Sequence, residues 1–206
     1  MDGVEELCAL GVSTVFEATG QRGLVDVPLH RLIPGSRAAG PARTVRCGQD
    51  DNLMVHAVMD RVRPGEVLVL TMPEPRPVSL VGDLMARQAR ARGVAGLLVD
   101  AACRDVDELV ELGLPTWCRF VRARSGSKST PGALDVPVEV GGARIEPGDL
   151  VVMDGDGAVV VPAGRLDEVL AAARERAERE RRLCEQLDAG RLTYDLHGLR
   201  RLVEGD

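Results

Sequence analysis

Residues 82–113 limit the possible fold more than any other stretch, because two glycine-stopped helical runs enclose a short apolar strand. Gly82-Asp83-Leu84-Met85 opens a run whose pattern predicts a helix over Leu84–Arg92, and Gly93 stands where helices end in a left-handed residue. Gly96-Leu97-Leu98-Val99-Asp100 predicts a buried strand with an aspartate at its carboxyl end. After Ala101-Ala102-Cys103, the pair Arg104-Asp105 precedes a second predicted helix, Val106–Leu112, closed by Gly113. Such a unit belongs to an α/β sheet, where ligands bind beyond the carboxyl ends of strands. Arg104 and Asp105 stand there, and the helix beginning near Asp83 offers free amides to an anion.

The rest of the chain fits one α/β domain with a mixed sheet or barrel-like core over residues 1–165. A carboxyl-terminal helix and tail, 166–206, belong to the same domain. The first twenty residues read as two short helices, with Ser13 or Thr14 as the cap of the second. A strand is expected at Ala42–Cys47 and a helix over Asp51–Arg63. Arg63-Pro64-Gly65-Glu66 before Val67–Leu70 is echoed by Glu146-Pro147-Gly148-Asp149 before Leu150–Met153. An internal repeat and two uses of a common turn-plus-strand unit both fit these phrases. Asp154-Gly155-Asp156-Gly157 is no calcium loop, since the sixth and twelfth positions are Val159 and Arg165, and it reads as a hairpin turn. Leu166 to about Leu187 reads as a long charged helix ended by Gly190.

Composition removes several function classes. A net charge of −6 and 2% aromatic residues argue against a nucleic-acid partner. No apolar run approaches the roughly 18–20 residues of a membrane span. The acidic start and five scattered cysteines without a CxxC pair predict a soluble, cytoplasmic chain with reduced thiols. His30, His56 and His197 are too dispersed for a histidine-bound zinc, and no nucleophile-elbow or Walker motif is present.

Two readings of the Arg104 turn remain open on spacing alone. Asp105-Val106-Asp107-Glu108 fits a capping box, with Glu108 reaching back to the cap amide. Asp83 could likewise be a cap, and Arg104 a surface side chain. The competing reading makes all three parts of a site.

Asp83, twenty residues, and then Arg104-Asp105 resembles the signature of the 4-hydroxy-4-methyl-2-oxoglutarate / 4-carboxy-4-hydroxy-2-oxoadipate aldolases. These are class II pyruvate aldolases related to the regulator of ribonuclease E activity A. The resemblance extends through Gly40–Val45, Asp51-Asn52-Leu53, Arg63–Val69, Gly93–Gly96 and Val138–Gly142 to Val161-Pro162, and the tail from Gly190 is similar to the aldolase branch. It implies a fold like the swivelling phosphohistidine-type domains, and a homotrimer or hexamer with active sites between subunits.

By the same resemblance, Asp105 would bind a divalent metal, Mg2+ or Mn2+, and Arg104 would face the C2 oxygen of a small 2-oxo acid. Gly82, Leu84 and Met85 would cradle the substrate carboxylate, the last two through their amides, and Asp83 would orient a water on the metal. The implied reaction is retro-aldol cleavage through a pyruvate enolate, with oxaloacetate decarboxylation from the same intermediate. The chain's one lysine, Lys128, lies in the Ser/Gly-rich stretch 125–132 and reads as solvated; no Schiff base is required. Loop 122–132 is expected to influence substrate choice.

The relatives also place an acid from a neighbouring subunit's terminal helix near the metal. Glu180 shares a stripe with Leu166, Leu170, Ala173, Ala177, Cys184 and Leu187, which makes it the candidate, with Glu178 in reserve. The chain departs from the family at Ala101, where glycine is usual; if that position has positive φ, alanine would shift the loop. The alternative function is a non-catalytic, protein-binding regulator. A quinone methyltransferase would need a glycine-rich nucleotide loop that is lacking.

Overall fold

The computed structural model describes residues 3–205. Two short helices come first, α1 (Gly3–Leu10) and α2 (Val12–Ala18). Ser13 and Thr14 lie inside α2 and do not cap it. The Val12 N–H instead donates to Asp154 Oδ2 at 3.0 Å, from 142 residues away. Gly11 permits this approach, because a Cβ there would stand 2.7 Å from the same oxygen.

The chain then alternates strands and helices: β1 (His30–Arg31), β2 (Ala38–Arg46), α3 (Leu53–Val58), β3 (Val67–Thr71), β4 (Ser79–Val81), α4 (Asp83–Ala91), β5 (Gly96–Cys103), α5 (Val106–Leu112) and β6 (Thr116–Val121). Short strands follow: β7 (Ala133–Leu134), β8 (Val138–Val140), β9 (Ala143–Ile145), β10 (Leu150–Asp154) and β11 (Gly157–Val161). Helix α6 (Leu166–Asp188) and the small helices α7 (Thr193–Leu196) and α8 (Arg200–Glu204) finish the chain. Gly93, Gly113 and Gly190 have φ of 77°, 73° and 85°, which is why each terminates the helix before it.

The sheet order is β1-β6-β5-β3-β2-β10-β11, with β4 beside β5 and β7 beside β2. Strands β2, β3, β5 and β6 run parallel, while β10 joins β2 antiparallel, so the sheet is mixed. Every residue of β3, β5 and β10 is buried, as covering on both faces requires. One face carries α3, α4 and α5 over Leu68, Leu70, Leu97 and Val99. On the other face, side chains of β2, β3, β5, β6, β10 and β11 meet in one cluster closed by β8 and β9, which only a curled, nearly closed sheet allows.

The two Pro-Gly phrases are both turns before strands, but β3 and β10 flank β2 in opposite directions. The Asp154–Gly157 stretch is the hairpin turn between β10 and β11. Helix α6 packs Val169, Leu170 and Ala173 against Leu7, Val12 and Val15, which ties the helix to the body. No helix among the described residues is long and apolar enough to cross a membrane.

Candidate active site

Strand β5 positions the site, and it runs further than its sequence predicts. Ala101, Ala102 and Cys103 continue the strand, because β4 pairs with its far end (Ser79 with Ala102, Val81 with Cys103) and a bulge past Val99 keeps the pairing with β6. Asp100 therefore lies inside the sheet and does not end it. Burial pushes its carboxyl pKa up, and Arg119 at 2.7 Å partly offsets that, so Asp100 is a structural ion pair. Ala101 is buried in extended backbone without positive φ, so alanine costs the turn nothing there.

Arg104 and Asp105 emerge where the strand ends. Asp105 holds φ 55° and ψ 46°, a left-handed conformation that an Asp adopts at a cost of about 1 kcal/mol. It precedes α5 as a cap would, but its side chain makes no cap hydrogen bond. Oδ2 instead accepts the N–H of Asp83 at 3.0 Å and lies 3.5 Å from Arg104 Nε. The capping box does not form.

Asp83 is the first residue of α4. One of its oxygens accepts the Arg87 Nε–H at 2.8 Å; the other, Oδ1, is buried and accepts no hydrogen bond, although the same nitrogen is close but off axis. The Ala86 N–H returns to Gly82, leaving the Leu84 and Met85 amides without acceptors among the described residues. Gly82 has ordinary extended backbone, so its glycine is a matter of space. A Cβ would stand 2.5 Å from Asp105 Oδ2 and 2.9 Å from Arg104 Nε.

A cleft that Gly82, Leu84, Met85 and Arg104 line together opens beside these groups, while Asp83 and Asp105 are not among its lining residues. The cleft's other walls include Asn52, His56, Ser125 and Lys128; of these, only the last two lie in the loop 122–132 expected to influence substrate choice, and none was named as a site residue. Ser125 accepts a hydrogen bond from Arg104 Nη1. Burial first, and then the charge of Lys128, lower the pKa of His56 and favour its neutral form. Lys128 is exposed, as its loop composition predicts, yet it stands at the cleft mouth. Its being the one lysine of the chain, in a glycine-serine loop, was the only available sequence signal.

The donor set fits a hard divalent ion. Among the described residues no three His, Cys, Asp or Glu side chains gather as a ligand cluster, which disfavours structural zinc. Mg2+ commonly takes one or two carboxylates and fills its shell with water and substrate. Asp105 Oδ1 accepts no hydrogen bond from the described residues, and Asp83 Oδ1 is the buried orphan. Only Asp105 Oδ1 is free to face a hydrated cation, since Asp83 Oδ1 is buried 2.8 Å from Arg87 Nε.

Residues 10–160 match the RraA-like family model, described as Aldolase/RraA. The chain belongs to the RraA-like family. One relative, from Halalkalibacterium halodurans, carries the provisional name 4-hydroxy-4-methyl-2-oxoglutarate aldolase and is 36% identical over 145 residues, 70% of this chain and 69% of its own. The crystal structure of an uncharacterized protein from Pseudomonas syringae pv. tomato superposes with a TM-score of 0.82 at 30% identity, covering 92% of this chain and 94% of that one. Streptomyces coelicolor RraAS2, described as an unusual member of the RNase ES inhibitor RraA protein family, gives 0.77 at 34% identity, covering 87% and 94%.

Within this RraA-like chain Glu180 does not face inward. The buried part of the α6 stripe ends at Ala173, because the helix outruns the body, and Cys184 and Leu187 are exposed as well. The Glu180 side chain is 47% exposed and pairs with Arg176 at 2.7 Å, while Glu178 pairs with Arg181 and Arg182. Neither lines the cleft of its own chain.

Proposed function

We propose that this RraA-like protein is a divalent-metal-dependent carbon–carbon lyase. It cleaves 4-hydroxy-2-oxo acids, such as 4-hydroxy-4-methyl-2-oxoglutarate, to pyruvate and a second oxo acid, and decarboxylates oxaloacetate in the same cleft. The observation that carries the reading is the left-handed Asp105, whose carboxylate forgoes its helix and stands over Gly82 beside Arg104. The family and the name of the Halalkalibacterium relative support an aldolase.

A 2-oxo acid would lay its carboxylate on the free Leu84 and Met85 amides, where the dipole of α4 adds attraction. Its keto oxygen then faces Arg104, which Ser125 restrains. As the C3–C4 bond breaks, its electron pair moves onto C3 and the C2 oxygen. The C4 hydroxyl loses its proton, and C4 becomes the carbonyl of the departing oxo acid. Arg104 stabilises the charge on the C2 oxygen. A water oriented by Asp83, whose carboxylate Arg87 holds at 2.8 Å, receives the proton. Proton return to C3 yields pyruvate. Oxaloacetate reaches the same enolate by losing CO2 and needs no such base. A Mg2+ or Mn2+ ion held by Asp105 would add Lewis-acid stabilisation at the C2 oxygen.

The reading also makes the protein a homotrimer or hexamer, with Glu180 of a neighbouring copy completing the cleft. Leu84 at the cleft rim is 79% exposed, and Leu192, Leu199 and Leu202 of the tail are also uncovered, which suits burial between copies. The similarity to Streptomyces RraAS2 favours a second reading, a protein-binding regulator. Pyruvate release from oxaloacetate separates them. Lyase activity is lost in EDTA and restored by Mg2+ or Mn2+, whereas silence across several 2-oxo acids with metal present favours the regulator.

A further inference from the structure

We infer that Asp51 is a positioning residue for this cleft: it clasps residues 125–130 so that Ser125 meets Arg104 and Lys128 stands over the substrate. The inference rests on the lyase reading above.

Asp51 is fully buried, and its two carboxylate oxygens divide their work. Oδ1 accepts the Leu53 N–H at 2.8 Å and so fixes the start of α3. Oδ2 serves only the loop, accepting Ser127 Oγ at 2.6 Å, the Ser129 N–H at 2.7 Å and the Thr130 N–H at 2.9 Å. Burial opposes ionisation, but the bonds from Ser127, Ser129, Leu53 and Thr130 outweigh it and hold the carboxyl well below the usual carboxylate range.

The loop needs such an anchor. Its sequence, Arg124-Ser125-Gly126-Ser127-Lys128-Ser129-Thr130, has no apolar side chain to bury, and a segment of that composition is ordinarily mobile. Here it lies as a third line beside two fixed ones. Ser79 of β4 pairs with Ser125, and Asp51 pairs with Ser127. The Ser79 N–H donates to Arg124 at 2.7 Å, the Asn52 N–H to Ser127 at 2.9 Å and the Ser127 N–H to Asp50 at 2.9 Å. Ser125 and Lys128 thus lie either side of the clasped residue Ser127, and both line the cleft.

The division between the two oxygens supplies the experiment. Asp51→Asn keeps an acceptor for Leu53 and turns an NH2 group toward the loop donors of Ser127, Ser129 and Thr130. Lys128 is the chain's one lysine, so a lysine-specific protease reads the loop at a single bond. Cleavage after Lys128 should be slow in the wild type and at least about tenfold faster in Asp51→Asn, since protection tracks local opening. The value of kcat/KM for 2-oxo acid cleavage should fall about tenfold or more in Asp51→Asn and in Ser125→Ala. The double variant should fall no further than the worse single, because both act through Arg104. Losses that multiply, or an Asp51→Asn protein with wild-type kcat/KM and wild-type resistance, overturn the inference. A wild type that turns over nothing sinks the lyase reading instead, and the clasp then stands or falls on the protease result.

Discussion

The backbone N–H of Asp83 donates to the side chain of Asp105 at 3.0 Å, joining the first residue of α4 to the residue that precedes α5. This bond explains why Asp105 leaves its own helix uncapped: its carboxylate is drawn toward the neighbouring turn and so to Arg104. A lost cap costs about 1 kcal/mol, and left-handed backbone about another. The molecule gives up local stability to put an acid beside a guanidinium.

Asp105→Gly should therefore relieve backbone strain while removing the acid. Urea unfolding should place its stability within about 1 kcal/mol of the wild type, or above it. Pyruvate release should vanish, and added Mg2+ should not restore it. A loss of several kcal/mol would mean that Asp105 serves the fold.

Gly82→Ala tests the space above that pair. The new methyl would lie 2.5 Å from Asp105 Oδ2 and 2.9 Å from Arg104 Nε, so both side chains must move. Overpacking costs about 1–3 kcal/mol, and misplacing reactive groups by an ångström costs about 100-fold in rate. The expected result is a folded protein with kcat/KM reduced about 100-fold; unchanged kinetics would detach Gly82 from the chemistry.

Ala101→Gly asks whether the family's usual glycine is missed. Position 101 lies in β5 with ordinary backbone, so glycine gains no conformation there. Stability should drop by about 1 kcal/mol and activity should not rise. An increase in kcat would show that the turn, and not the strand, governs this residue.

Asp51 sets an acid limit. Its folded pKa lies below the unfolded value of about 3.9, so its contribution is fully present above that value and is lost as pH falls through the folded pKa. The stability gap between wild type and Asp51→Asn should be constant from about pH 8 to pH 5 and narrow below about pH 4, measured by urea unfolding. A gap that widens on acidification contradicts the clasp.

The helix–strand–helix unit was legible because its signals are local. Gly93 and Gly113 stop α4 and α5 where expected, and the predicted bounds of α5, Val106–Leu112, match the observed helix. The conformation of Asp105 was not legible from spacing, since Asp-x-x-Glu before an apolar run is equally the pattern of a capping box; only the left-handed backbone shows that the box does not form. The extension of β5 through Cys103 depends on β4, whose pairing a local reading of Asp100-Ala101 cannot register. Asp51 and its loop partners are separated by 76 to 79 residues, and Val12 and Asp154 by 142. Bonds of that reach leave no periodicity. Glu180 fails as an inward residue for the opposite reason: the stripe continues along α6 after the body it packs against has ended.

The most direct test is a crystal structure of the protein soaked with Mn2+ and pyruvate. The account predicts anomalous density about 2.0–2.3 Å from an Asp105 carboxylate oxygen, with the pyruvate carboxylate on the Leu84 and Met85 amides and its keto oxygen between the ion and Arg104. An ion bound away from Asp105, or pyruvate seated elsewhere with Arg104 turned from it, would contradict it.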